Sequence, residues 1–425
     1  MKILLSGGGT LGPVTPLLAL AEKWREMDAT MDLVWVGTVN GPEVHLISGN
    51  DIRFISIASV KFPRYFSFYW FAVPFLTLYA LIESWNVLKK ERPDVIVSAG
   101  GYVSVPLVVL GRLMGVKSWI HQQDVRPGMA NSVMSRFAEK VSVTFESSAA
   151  LFPQKKVVLT GNAVRKSIQN GSREDALKKF GLSKDRKTLL VLGGGSGSNW
   201  VNRSVSAIAD NLVDKWQVLH VAGRDKLDTV LPAGHHYAVE PLIGEGMDDA
   251  YAVADVVLCR AGLGTMTELS AVGKPMIVVP IPGTHQEDNA FFLYEHQAAV
   301  ILDQTETTPQ VLLSAIRSVM DDEDVQLRLA ANLKLSFPKD GTQKIAEGVL
   351  EVAKKEASSW NHAETSIDEE VVLKPEKVVE EDVEPDEREV EAIESIEEQI
   401  RRALGGNEPP AEKSDDEPFE THEVA

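Results

Sequence analysis

The chain has 425 residues, 44% of them hydrophobic, a single cysteine and a formal net charge of −18. That length exceeds one ordinary domain and leaves two domains plus an appendage as the natural division, while the lone Cys259 excludes an intrachain disulfide framework. The charge is not spread: residues 1–355 carry 37 basic and 37 acidic side chains, and residues 356–425 carry 6 and 24, so the imbalance lies in the tail.

The opening MKILLSGGG has too short an apolar run for a signal-peptide core, so no export is expected. The runs KILLS, DLVWVG, DVIVSAGG, KVSVTF, KTLLVLGGG, WQVLHVAG, DVVLCRAG and PMIVVPI are short and rich in Val, Ile and Leu, and KSWIH reads as a further strand ending at His121. Helix-length segments such as PVTPLLALAEKWREM and GTMTELSAVG separate them. Short buried strands alternating with helices predict a doubly wound parallel sheet. The pattern restarts at KTLLVLGGG after the polar segment 161–187, which predicts two similar α/β domains, with ligands beyond the carboxyl ends of the strands. Helix-forming residues 341–355 close the folded part.

Residues 65–82 are uncharged and aromatic-rich, with Lys61 and Arg64 before them and Lys89 and Lys90 after. A membrane span approaches the ~18-residue threshold, and an internal core helix is a second reading. Pro74 interrupts the run, and a span would split the first domain. An interfacial patch is therefore favoured, in which Phe66, Trp70 and Phe71 enter the headgroup region and the cations meet anionic lipid. Beyond residue 356, a stretch such as EEDVEPDEREVEAIESIEEQ cannot bury enough apolar area to offset its ordering entropy and is expected to be disordered. Within the tail, Val390, Ile393, Ile396, Ile400 and Leu404 recur at helical spacing, either as a transient solvated helix or as one that binds a protein partner.

Three glycine loops carry the chemistry. SGGGTLGPVTP (Ser6 to Pro16), with Gly9 and Gly12, follows a strand and opens a helix, where backbone N–H groups can approach an anion. A dinucleotide-binding oxidoreductase or a merely structural turn would start similarly. SAGGYVSVP (Ser98 to Pro106) holds Gly101 and Tyr102, and GGGSGSNWVN (Gly193 to Asn202) could hold a diphosphate through N–H groups and the hydroxyls of Ser196 and Ser198. Three such loops exceed the needs of one NAD site. In RAGLGTMTEL, Glu268 lies about one turn into a helix, where its carboxylate could accept from two ribose hydroxyls or simply face solvent as a first-turn glutamate. HQEDNA adds His285, Gln286 and Asn289, and together these groups outline a nucleotide-sugar pocket. No well-placed Asp-x-Asp motif appears, DDED at 321–324 reads as a solvated helix terminus, and no metal or cofactor is expected.

GGGTLGPVTP, GGYVSVP, HQQD with a later Asn131, GNAVR, GGGSGSNWVN, CRAGLGTMTEL and HQEDNA resemble, in order and spacing, the motifs of the MurG-type transferases that convert lipid I to lipid II. The resemblance covers about residues 1–355. It implies an α/β GT-B fold: a Rossmann-like domain over 1–162 for acceptor and membrane, another over 163–340 for UDP-N-acetylglucosamine, and a helix at 341–355 crossing back. The acidic tail at 356–425 lies outside it. It also implies an inverting transfer of GlcNAc to the C4 hydroxyl of a polyprenyl-pyrophosphate-linked MurNAc-pentapeptide, in peptidoglycan synthesis at the cytoplasmic face of the inner membrane. No nucleic-acid partner is expected.

Residue by residue, the resemblance makes Gly194, Gly195 and Ser196 the diphosphate site and Arg165 a contact near the linker. Leu242 and Ile243 line the uracil, Gly264, Thr265 and Glu268 take the ribose side, and Gln286, with His285 and Asn289, reads the sugar hydroxyls. Gly9, Thr10, Gly12, Gly101, Tyr102 and Asn131 hold the acceptor. The family's usual histidine in the first loop is Pro13 here, and proline cannot move a proton. Its HEQN is HQQD, and its usual serine and glutamine in the third loop are Gly195 and Ser196. Asp124 is accordingly favoured as catalytic base, with His121, otherwise a structural histidine, as the alternative and Thr10 beside them. The rival readings are a GT-B transferase with another lipid acceptor and a catalytically weakened scaffold that binds nucleotide sugar or lipid precursor.

Overall fold

The computed structural model describes residues 1–41, 43–47, 50, 52–59, 73–224, 226, 235–244, 246–354 and 398–399. Among the described residues the strands form two parallel sheets. The first contains β1 (Lys2–Ser6), β2 (Asp32–Thr38), β3 (Arg53–Ile57), β4 (Val95–Ser98), β5 (Lys117–Gln122), β6 (Lys140–Val143) and β7 (Val157–Leu159), in the order β3-β2-β1-β4-β5-β6-β7. The second contains β8 (Thr188–Leu192), β9 (Gln217–Val221), β10 (Tyr237–Glu240), β11 (Val256–Cys259), β12 (Met276–Val278) and β13 (Val300–Ile301), in the order β10-β9-β8-β11-β12-β13. Every residue of β4, β8, β9 and β11 is buried. Helices cover both faces of such strands, which is why they read as continuous apolar runs rather than alternating ones.

Strand order reverses between β1 and β4 and again between β8 and β11, and each reversal opens a crevice at the carboxyl ends. The glycine turns at residues 7–13, 99–103, 193–198 and 260–264 follow β1, β4, β8 and β11. All four therefore gather at the switch points. Gly101, at φ +95°, shows why glycine is required: a Cβ there would lie 2.8 Å from the carbonyl oxygen of Gly8, so the first two loops touch backbone to backbone.

The last described helix of the folded part, Gly341–Lys354, returns to the first sheet. Its Ile345, Ala346, Val349, Leu350 and Val352 share a core with Ile3, Leu17, Trp24, Val97 and Trp119, and Trp24 Nε1 donates to Ala346 O at 3.1 Å. Truncating a buried Trp of this kind typically costs roughly 3–5 kcal/mol, so this return packing ties the helix that follows the second sheet to the first domain.

On the helix Val73–Glu91, Phe75 (76% exposed), Leu78, Tyr79, Ile82 and Trp85 form one outward stripe, while Val73, Ala80, Ser84 and Leu88 are buried. From Val73 onward the internal-core reading of the 65–82 run is thus incorrect: the apolar face looks out because the opposite face packs on the sheet. Among the described residues no helix is long and apolar enough to cross a membrane. Lys61, Arg64, Phe66, Trp70 and Phe71 lie outside the described residues, as does the tail except Glu398 and Gln399.

Candidate active site

A cavity of about 440 Å³ lies where the two crevices face each other. The third glycine loop contributes Gly194, Gly195 and Ser196, and the residues after β10 contribute Leu242 and Ile243. Gly264, Thr265 and Glu268 enter from the helix Leu263–Val272, and His285 and Gln286 from the helix His285–Glu295. Arg165 comes from the linker, and Thr10, Gly12 and Asp124 face them from the first domain. Glycine permits this closeness: a Cβ at Gly195 would lie 2.6 Å from Leu11 Cδ1, and one at Gly264 would lie 2.7 Å from Thr15 Oγ1.

Glu268 is 7% exposed. Its Oε1 accepts from Arg165 Nη2 at 3.0 Å and its Oε2 from the Tyr251 hydroxyl at 3.0 Å. Burial, reinforced by the Glu268 charge, raises the Tyr251 pKa well above its ordinary value, so Tyr251 remains a donor. Burial opposes the charge on Arg165, but the Glu268 carboxylate more than offsets it and the net shift is upward. The carboxylate is therefore held rigid at the edge of the cavity.

The third loop is braced from behind by Arg260, which is 6% exposed. Ser198 Oγ caps the helix Asn199–Ser206 by accepting from Val201 N–H at 3.3 Å, and it also accepts from Arg260 Nη2 at 2.7 Å. Arg260 further donates to Gln304 Oε1 at 2.7 Å and to the carbonyls of Val279 and Pro280 at 3.1 and 3.2 Å. Burial lowers its pKa only to about 10, so it stays cationic at neutral pH. A fixed cation and a helix N-terminus then converge on one loop, an arrangement suited to an anion.

Across the cavity, Asp124 Oδ1 accepts from Asn289 Nδ2 at 2.9 Å, and its Oδ2 lies 3.8 Å from His285 Nε2. Asn289 is fully buried, accepts from Val125 N–H at 3.1 Å and donates to Ala261 O at 3.1 Å. Arg126 pairs with Asp288 at 2.9 Å alongside. Gln123 Nε2 donates to Gly12 O at 3.1 Å, joining the β5 end to the first loop.

Other expected groups stand back from the cavity. Tyr102 packs on Gly9, where a Cβ would meet its ring Cε1 at 2.6 Å. Asn131 is buried and donates to His121 O at 3.1 Å and to Gln122 Oε1 at 2.7 Å, so it supports the end of β5 instead of facing the cavity. His121 is not placed for proton transfer. Its ring is fully buried, Nδ1 against Ser142 Oγ at 2.9 Å and Nε2 against Asn162 Oδ1 at 2.8 Å, and burial lowers its pKa to about 4. Side chains alternate faces along a strand, and His121 falls on the inner one.

Residues 3–143 match the glycosyltransferase family 28 N-terminal domain, and residues 188–345 match the family's C-terminal domain. The chain belongs to glycosyltransferase family 28. A UDP-N-acetylglucosamine–N-acetylmuramyl-(pentapeptide) pyrophosphoryl-undecaprenol N-acetylglucosamine transferase of Clostridium perfringens is 32% identical to this family 28 enzyme over 360 residues, 84% of this chain and 98% of the relative. A transferase of the same name from Lachnospira eligens is 32% identical over 348 residues, 81% and 97% of the two chains. The crystal structure of Acinetobacter baumannii MurG aligns with a TM-score of 0.61 at 25% identity, over 82% of this chain and 99% of that one. An S. aureus MnaA–UDP co-structure shares the fold at 14% identity, with a TM-score of 0.61 over 85% and 100% of the chains.

Sequence reasoning missed Arg260 as a site residue of this family 28 enzyme, although it stands inside CRAGLGTMTEL. The available signal was its position directly after β11, at the switch point, where an arginine has little other reason to be buried. Cys259 also lines the cavity, but burial raises its thiol to about 12 and leaves it protonated.

Proposed function

We propose that this family 28 enzyme transfers GlcNAc from UDP-GlcNAc to the C4 hydroxyl of a polyprenyl-pyrophosphate-linked MurNAc-pentapeptide, the conversion of lipid I to lipid II. One observation carries the reading: Gly194 to Ser196, Glu268 and Gln286 share a single cavity with Thr10 and Asp124 from the opposite domain. That is the arrangement a two-substrate displacement needs, a donor on one wall and an acceptor on the other. The names of the C. perfringens and L. eligens relatives point to the same donor and acceptor.

In this reading Glu268 accepts from the ribose hydroxyls, and Leu242 and Ile243 flank the uracil. Gln286 and His285 meet the sugar, and the third loop holds the diphosphate. The acceptor oxygen attacks the anomeric carbon, its proton passes to Asp124, and the bond from that carbon to the diphosphate oxygen breaks on the opposite face. Charge gathering on the departing UDP is met by the loop N–H groups and the Arg260 cation, with no metal assigned a role.

The outward stripe Phe75, Leu78, Tyr79, Ile82 and Trp85, followed by Lys89 and Lys90, supports attachment to an anionic membrane surface on its cytoplasmic side. Changing Phe75, Leu78 and Ile82 to Ser removes flotation with anionic vesicles while turnover of a short-chain soluble acceptor persists; equal flotation of both proteins refutes the attachment. The reaction itself is tested by incubating the protein with labelled UDP-GlcNAc and a synthetic lipid I analogue. Label in the lipid product is expected. Release of UDP with no labelled lipid would overturn the assignment.

A further inference from the structure

Among the described residues β13 is the outer strand of the second sheet, and the one strand it pairs with is β12. On its inner side Leu302 N–H donates to Val278 O at 2.9 Å, so the neighbouring residue Ile301 presents its own peptide groups outward. Both are taken by Gln399. Ile301 N–H donates to Gln399 Oε1 at 2.8 Å, and Gln399 Nε2 donates to Ile301 O at 3.2 Å. One carboxamide satisfies the donor and the acceptor of a single residue, as an added strand would. Gln399 is only 9% exposed.

In sequence Gln399 stands between Ile396 and Ile400 of the apolar recurrence read from the tail. The family 28 match ends at residue 345, so nothing in the shared architecture accounts for this contact. We propose that the C-terminal segment centred on Gln399 docks in cis on the outer edge of β13 and caps the open edge of the donor-side sheet. A connection of some forty residues gives an effective concentration of order mM, so an interface too weak to form between separate molecules is sufficient within one. The capped strand leads directly to Gln304, the residue that holds Arg260 Nη2. The docked tail thus sits one turn of chain from the brace of the third loop.

The experiment is hydrogen–deuterium exchange of the full-length chain, of its Gln399→Glu variant and of a chain ending at residue 355. Glutamate keeps the size of the side chain but turns a second acceptor toward Ile301 O. Exchange at the Ile301 amide is expected to rise roughly tenfold or more in both altered chains, with β8 and β11 unchanged as the control for folding. A peptide spanning residues 386–406, added at mM concentration, restores protection to the shortened chain. Equal exchange at Ile301 in all three proteins overturns the proposal. So does protection of the full-length chain that is lost on dilution together with a dimer, since that places the tail on a second copy.

Discussion

Asp124 and Asn289 meet across the interdomain cleft, the carboxylate Oδ1 accepting the amide at 2.9 Å. This bond engages one oxygen and leaves Oδ2 beside His285 at 3.8 Å, so one side chain can both close the cleft and accept a proton. The Asp124→Asn variant keeps an oxygen for Asn289 and loses the basic site. Its kcat is expected to fall by about 10²–10⁴, with thermal stability and UDP affinity near those of the parent. Unchanged kcat with a lipid I analogue excludes Asp124 as the base.

Glu268 offers a sharper test because its two oxygens are already positioned by Arg165 and Tyr251. Charged hydrogen bonds contribute roughly 1.5–3 kcal/mol each, so Glu268→Ala should raise the KM for UDP-GlcNAc by roughly ten- to a hundredfold and change kcat less. A 2′-deoxyribose donor separates the ribose role from a structural one. The parent enzyme should discriminate against it and the variant should not; equal discrimination by both proteins removes Glu268 from the ribose.

What was legible in the sequence follows from pairing and burial. Eight of the nine interior strands, β1, β2, β4, β6, β8, β9, β11 and β12, appear as apolar runs because they are covered on both faces, whereas β5 buries the polar Ser118, His121 and Gln122. The strands that left no clear run, β3, β7, β10 and β13, are the four sheet edges, where burial is partial: RFISI in β3 and YAVE in β10 each have one fully buried end and intermediate or exposed residues elsewhere. The glycine loops were readable because only glycine tolerates their backbone and their close approaches. His121 stays open in the sequence between a base and a structural ring because position along a strand does not reveal which partners the ring will find, and Arg260 goes unmarked because arginine in a loop reads as surface until burial is known.

Arg260 acts through the loop it holds, and its removal should separate binding from turnover. Arg260→Lys keeps a cation but cannot bridge Ser198, Gln304 and two carbonyls at once, since a single ammonium lacks the planar fork. The expected result is a lower kcat together with weaker UDP binding, because the leaving diphosphate loses both its oriented loop and its fixed charge. If stopped-flow UDP binding and kcat both match the parent, the brace has no catalytic consequence.

Two buried histidines set the acid limit of the fold. Besides His121, His220 is fully buried between the Tyr237 hydroxyl at 2.8 Å and Asn202 Oδ1 at 3.0 Å, and burial lowers both rings to about 4. The ordinary histidine value is 6.5, so between about pH 6.5 and 4 the unfolded chain binds protons that the folded chain refuses. Their contribution is therefore fully present above about 6.5 and is lost as pH falls toward 4, by roughly 3 kcal/mol per histidine at about 1.36 kcal/mol for each unit. Glu91, held at about 2 chiefly by Arg53, adds its own loss below about 4.5, so a comparison made at pH 5 and above reads the histidines. Urea unfolding at pH 7 and pH 5 should show a clear drop in stability at the lower pH, and His220→Gln should make the drop smaller. A pH dependence over this range that is unaltered in that variant assigns the acid sensitivity to other groups.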